Sequence, residues 1–325
     1  MGYHFLQKRV MCKLSATLIL IASFFAMTLS TSCQKEESIT DTKSIQDEGY
    51  VEFQVSAHGD IATKAISKGD MVDVLYYAVY KNGEELKDLR PSSPIVRGAD
   101  GRFVFKIKLV KGLKYRIAFW AQSSQCTAYD ISDFEAVKFY YDGLANDESR
   151  DAFFKAEDVM LTSNTQVTEV VLKRPFAQIN FAASDYKVVS QLVNDKGFKS
   201  TIALKGVPNT LNLLTGETSG SEDIEFRFNY APDGEDRFFD GNTMLRYVSM
   251  NYILAEKEKR IYSQYPLVGM FEYANATLEI PIYNLPVQRN YRTNIIGSLF
   301  SADIIFNLDL EEIFDNNTNQ KYPIN

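Results

Sequence analysis

The 325-residue sequence is poor in the side chains on which most protein chemistry depends, with three cysteines and two histidines. Cys12 and Cys33 fall in, or at the end of, an N-terminal leader, so only Cys126 is left in the rest of the chain and no intramolecular disulfide can form there. His4 also belongs to the leader, which leaves His58. One histidine cannot build a histidine metal cluster, and it is poor material for a Ser–His or Cys–His nucleophile. No phosphate-cradling glycine loop is found. Stretches with the helical period are scarce. Positive charge is also short, with 35 Lys and Arg against 42 Asp and Glu, a formal −7. Removing the leader cations Lys8, Arg9 and Lys13 takes this to about −10. Such a surface excludes nucleic acid as a natural partner.

What the sequence does have is aromatic residues, 13% of the total, with 22 Phe and 19 Tyr. That content suits strands. The stretch that organises the chain is Tyr50 to Ala65. Val51, Phe53 and Val55 point one way and Glu52, Gln54 and Ser56 the other, the period-two pattern of a half-buried strand. A loop follows, Gly59 to Lys64, in which Ile61 is the one sizeable apolar side chain. A strand with an exposed lysine behind it is one that a protease can detach. The expectation is a removable strand at an edge of the first sandwich, with the rest of the chain as its scaffold.

From Lys8 to Cys33, basic residues precede the run LSATLILIASFFAMTL and a set of small residues, the layout of a secretory signal, with Met11 as an alternative start. The apolar run Leu14 to Leu29 falls short of the roughly 20 residues of a membrane-spanning helix. Leu29 to Cys33 resembles a bacterial lipobox, with Leu29 one place too far upstream and Ser30 in the aliphatic position. Acylation of Cys33 and ordinary cleavage both fit. Gln34-Lys35-Glu36-Glu37 resembles the surface-export signal of Bacteroidota lipoproteins, which is the reading preferred here; the alternative is a solvated linker.

Beyond residue 70, strand follows strand. Val72 to Tyr80 is followed by Asn82-Gly83, a tight-turn pair. Phe103 to Leu109 and Tyr115 to Phe119 alternate on either side of Gly112 and read as a hairpin. Trp120 reads as packing. The segment Gln125 to Ser163 reads as long connections. Pro175 marks a break between two strands. One short helix is expected over Tyr186 to Val193. Strand candidates then run from Ser200 to Leu310. The class is all-β. The acidic turn Asp233 to Asp236 with Asp240 lacks the ligand spacing of a calcium loop. The run Glu256 to Arg260 reads as a solvated hairpin tip.

Four stretches together resemble the fimbrillin family of Bacteroidota, lipoprotein subunits of surface pili. They are VDVLYYAVYKNGEEL (Val72 to Leu86), LKRPFAQINF (Leu172 to Phe181), TLNLLTGETSG (Thr210 to Gly220) and VQRNYRTNIIGSLFS (Val287 to Ser301). The resemblance implies two transthyretin-like β-sandwich domains in tandem, with at most one or two short helices. The expected divisions are a signal peptide over 1–32, a lipidated tether over 33–49, sandwiches over 50–172 and 173–314, and a short tail over 315–325.

It also implies assembly by strand exchange. In the precursor Val51, Phe53 and Val55 fill a groove; a protease cuts between Lys64 and Ala65; Ile304, Phe306, Leu308 and Leu310 of a neighbour then occupy the groove. Lys64 stands where many of the family have Arg, and the chain ends soon after Leu310, so one stretch would serve as both final strand and donor. The implied partners are other fimbrial subunits, the outer membrane through lipid on Cys33, and a host or bacterial surface ligand; no cofactor, metal or enzymatic activity is implied. Two alternatives stay open. One is a non-polymerising or anchor lipoprotein that binds glycan or host protein through exposed aromatics such as Trp120, Tyr140 or Tyr141. The other is a hydrolase, which needs two carboxylates roughly 5–9 Å apart in a cleft.

Overall fold

The computed structural model describes residues 47–57, 69–141, 147–185, 199–228, 237–240, 243–273, 276–298, 306–312 and 320–323. Two β-sandwiches follow each other along the chain, and among the described residues the helical content is two single 3₁₀ turns, Lys87–Leu89 and Glu148–Arg150. The expected helix over Tyr186 to Val193 lies outside the described residues.

In the first sandwich one sheet holds β1 (Glu48–Ser56), β5 (Arg102–Val110) and β10 (Thr165–Val171), in the order β10-β1-β5. The facing sheet is β3-β2-β6-β9, built from β2 (Val74–Lys81), β3 (Glu84–Glu85), β6 (Lys114–Gln122) and β9 (Ala152–Met160), with β4 (Ile95–Val96) also on β2. The core between the two includes Val51, Phe53, Val55, Phe103, Ile107, Ile117, Phe119 and Phe153.

In the second sandwich the larger sheet is β16-β17-β11-β22-β23-β24: β11 (Phe176–Ala183), β16 (Arg237–Asp240), β17 (Thr243–Leu254), β22 (Tyr291–Gly297), β23 (Phe306–Glu312) and β24 (Gln320–Pro323). It faces β15-β12-β19-β20, formed by β12 (Lys199–Val207), β15 (Glu222–Phe228), β19 (Leu267–Tyr273) and β20 (Ala276–Ile282). Phe181, Ile202, Phe226, Phe271 and Ile295 sit in its core. A short ribbon pairs β18 (Arg260–Tyr262) with β21 (Leu285–Val287).

A third apolar cluster joins the halves, with Tyr80, Trp120, Phe134 and Phe139 from one side and Phe176, Leu211, Met250 and Tyr252 from the other. Over it lies a small sheet, β14-β13-β8-β7, whose strands come from both halves: β7 (Tyr129–Asp130), β8 (Val137–Phe139), β13 (Thr210–Leu211) and β14 (Thr218–Ser219). This explains why β2 and β6 are apolar almost throughout. Leu75, Tyr77, Val79, Ile117 and Phe119 face the first core, while Ala78, Tyr80, Ala118 and Trp120 face the junction. A strand covered on both faces has no reason to alternate.

Several expectations need correction. β5 and β6 are not a hairpin, because β5 bonds to β1 and β6 bonds to β2 and β9. Gly112, at φ 73°, turns the chain across the core from one sheet to the other. The alternating residues on either side are facing walls, with Phe105 and Phe119 6.4 Å apart between centroids. The stretch read as connections contains the nine-residue β9, paired with β6 along its whole length. The segment expected to be a tail carries β24, which pairs with β23. The turn at Asn82 and Gly83 has both residues at positive φ, 53° and 85°, as the two-residue hairpin between β2 and β3 requires. Glu256 to Lys259 are exposed, but the strands on either side of them, β17 and β18, lie in different sheets, so the run is not a hairpin tip.

The connection between the sandwiches is fixed by charge. Arg174, 1% exposed, donates from Nε and Nη2 to the two carboxylate oxygens of Asp151 at 2.5 Å, and its guanidinium lies 4.4 Å from the centroid of the Phe153 ring. A bidentate, desolvated pair of this kind fixes orientation more than it adds net stability.

Candidate functional site

The candidate site is the slot that β1 occupies. The strand was expected at an edge; it is the middle strand of three. Its residues Glu48–Ser56 run antiparallel to Val110–Arg102 of β5, and Tyr50–Ser56 run parallel to Thr165–Val171 of β10. The physical reason is that β5 turns Phe103, Phe105, Ile107 and Leu109 inward while β10 turns in only Val170 as an apolar buried residue, so the core beside β5 needs a further apolar row. Val51, Phe53 and Val55 supply it, each fully buried. Phe53 stacks on Phe105 at 5.5 Å and meets Phe119 at 5.4 Å, while Tyr77 stacks on the far side of Phe105 at 4.8 Å. At the start of β1, Gly49 lets the backbone pass close to the next strand: a Cβ there would sit 2.8 Å from the Asn164 carbonyl oxygen.

The outward face of the slot is electrostatic. Lys106 pairs with Glu52 at 3.2 Å, Lys108 pairs with Glu48, and Arg102 donates to Gln54 Oε1 at 3.2 Å. Hydrogen bonds from Gln54 and Lys106 hold the Glu52 carboxyl below its ordinary 4.5. The Glu48 carboxylate raises Lys108 above its ordinary 10.5. Lys111 reaches Asp47 at 2.8 Å and also Asn164, tying down the residue that precedes the strand.

Of the other residues expected to act, Cys33, Lys64, Ala65 and Ile304 lie outside the described residues. Phe306, Leu308 and Leu310 fall on β23, which pairs with β22 on one side and β24 on the other. The slot and β23 belong to different sheets of one chain, so the fold does not bring them together. The acidic turn 233–236 also lies outside the described residues. Among the described residues no group of three His, Cys, Asp or Glu side chains could hold a metal.

The aromatics expected to meet a ligand are mostly inside. Trp120 is fully buried, edge-on to Tyr129 and Phe139, and donates to Gln122 Oε1 at 2.7 Å. Tyr141 donates to the Pro208 carbonyl at 2.8 Å and accepts from the Leu254 N–H at 2.9 Å, and burial raises its pKa. Tyr140 is about half exposed, 52%. An open cleft of about 530 Å³ lies elsewhere, on the second sandwich, lined by Lys205, Asp223, Arg260, Tyr262 and Tyr265.

Sequence reasoning missed the residues that lock the two halves. Arg116 of β6 donates to the Leu214 carbonyl at 3.1 and 2.6 Å, and Arg289 donates to the Gly216 and Ala255 carbonyls at 2.6 and 3.0 Å. Burial lowers Arg289 to about 10. The TLNLLTGETSG stretch is therefore a loop grasped from both sides. Arg174, interrupting the apolar LKRPFAQINF, was a visible signal of a buried cation; nothing marked Asp151, 23 residues earlier, as its partner.

The chain belongs to a family of unknown function, DUF6562, whose model matches residues 25–325. No curated protein matches it. Among solved structures, the chain is similar to the tip fimbrial protein Mfa3 of Porphyromonas gingivalis with a C-terminal truncation. The identity is 12% and the TM-score 0.49, over 82% of this chain and 99% of that one. It is also similar to a fimbrial assembly protein of Parabacteroides distasonis, at 14% identity and TM-score 0.45, over 85% of this chain and all of that one.

Proposed function

We propose that the protein is a structural subunit of a cell-surface fibre, exported as a lipoprotein anchored through Cys33 and joined to its neighbours by replacement of β1. The observation that carries this reading is the slot. An N-terminal strand with one open face inserts three fully buried side chains between two strands that both bond to it. Burying those side chains contributes about 5–9 kcal/mol as an upper bound. That is comparable to the whole stability of an ordinary domain. A cut after Lys64 therefore leaves β1 seated, and the strand departs only as another of the same pattern enters. A strand bonded on both sides makes a tighter joint than one laid on an edge, because the entering segment gains two ladders. The cost on the donor side is smaller: among the described residues β23 and β24 are the outermost strands of their sheet and join it through the β22 ladder.

The test is Lys64→Ala in cells, with surface extracts run without boiling. The expected outcome is loss of the high-mass ladder that the parent gives and retention of β1 in the subunit. An unchanged ladder refutes cleavage at Lys64.

A second reading, a surface lipoprotein that binds glycan, is favoured by the cleft at Tyr265. That residue is 48% exposed among Lys205, Asp223 and Arg260, an aromatic surface beside hydrogen-bonding groups. Glycan-array binding abolished by Tyr265→Ala would support it.

A further inference from the structure

The outward row of β5 carries Arg102, Val104, Lys106 and Lys108, three cations in four alternate positions. The three contacts described above place an acid or amide of β1 on each of these cations. The cations belong to the wall of the slot and would remain if β1 left, whereas Glu48, Glu52 and Gln54 would leave with it. An occupant with neutral or basic outward residues would strand three cations side by side; one with acids would restore the pairs. Cross-strand charge pairs favour matched occupants, and like charges placed opposite disfavour wrong ones.

Resting on the strand-replacement reading above, we infer that the basic rail of Arg102, Lys106 and Lys108 selects the incoming strand chiefly through Arg102, and that this strand is the 306–312 segment of a second copy of the chain. The sequence of that segment, Phe-Asn-Leu-Asp-Leu-Glu-Glu, alternates Phe306, Leu308 and Leu310 with Asn307, Asp309 and Glu311. This is the apolar–acidic pattern of Val51-Glu52-Phe53-Gln54-Val55. With Leu308 in the place of Phe53, Phe306 and Leu310 take the places of Val51 and Val55. Asp309 then stands where Gln54 reaches Arg102, and Glu311 stands opposite Arg102 in the register of β1 and β5. The rail thus reads charge, while the core beneath reads shape.

The test uses chains cut after Lys64, with the rail reversed in one and the donor in the other. Arg102→Glu makes the rail acidic where Asp309 and Glu311 meet it; Asp309→Lys with Glu311→Lys makes a basic donor. Each variant alone meets like charge at every joint and is expected to assemble about ten-fold less than the parent at low salt, the gap closing as salt rises. Mixed together, the acidic rail of one accepts the basic donor of the other, and the basic rail of the second accepts the acidic donor of the first, so that an alternating ladder of pairs appears that neither variant forms alone. Variants that assemble like the parent, or a mixture that gives no pairs while the parent polymerises, overturn the selector and leave strand replacement standing. A parent that forms no ladder overturns strand replacement, and with it the second-copy occupant.

The uncut chain supplies an independent measurement. Glu48→Lys with Glu52→Lys should restore the melting temperature lost in Lys106→Glu with Lys108→Glu. Failure of that swap refutes the rail itself, whatever the assembly result.

Discussion

β1 and β11 are counterparts. Each opens a sandwich, each sits inside a sheet, and each has one parallel and one antiparallel neighbour: β10 and β5 for β1, β22 and β17 for β11. They differ in what covers them. β1 is buried on one face and open on the other, whereas all eight residues of β11 are buried. Ala177, Ile179 and Phe181 enter the second core, Phe176 enters the junction, and the polar residues beside it are bonded to one another, as Asn180 is to Asn294 at 2.9 Å. One strand can leave its sheet by crossing a single interface with solvent behind it; the other is held from both sides. On the strand-replacement proposal, removability would follow how many faces are covered, with the position at an edge or in the middle secondary.

Substitutions at the boundary should have the strongest effects. Asp151→Ala leaves Arg174 uncompensated in the interior and should cost about 3–5 kcal/mol in denaturant unfolding, while the double change Asp151→Leu with Arg174→Met should recover most of that. Phe53→Ala and Phe181→Ala should each cost about 3–5 kcal/mol in the intact chain. They should diverge once the chain is cut after Lys64. Phe53→Ala then speeds release of the N-terminal fragment, followed by size-exclusion chromatography, and Phe181→Ala leaves release unchanged. Equal release rates would end the distinction between the strands.

Acid provides a subtler probe. The Glu52 pKa is lowered in the folded chain, so its contribution is present above the ordinary 4.5 and is lost as pH falls through the lowered value. Retention of the cut fragment should be flat from pH 7 down to about 4.5 and weaken below it. Glu52→Gln should remove that dependence while moving the melting temperature by no more than about 2 °C.

The sequence made the all-β class, the inward faces and the break at Pro175 legible, because these are properties of one segment at a time. Alternation in Phe103 to Leu109 and Tyr115 to Phe119 revealed which side chains turn inward. It carried no information on which strands bond, so a crossing between sheets looked the same as a hairpin. β9 was missed because Lys155, Glu157 and Asp158 interrupt its pattern, although Arg116 meets Asp158 at 2.7 Å and Lys155 meets Glu157 at 2.8 Å. The middle position of β1 was hidden for a similar reason, since its parallel partner β10 lies more than a hundred residues away and leaves no local trace. The rail was half visible: Lys106 and Lys108 stood out as alternating residues, and their acidic partners were equally plain on β1, but only the register puts one row beside the other.

In the fibre proposed above, the clasp formed by Arg116 and Arg289 on one loop would have a mechanical meaning. Tension drawn through a filament enters such a module at one end and must exit at the other. Here it would travel across a shared aromatic interior and two guanidinium grips instead of along a bare peptide connection. A hinge there would let each link swing and absorb drag; a welded joint would make the link a strut, so that flow acting on such a filament would bend the contacts between links before the links themselves.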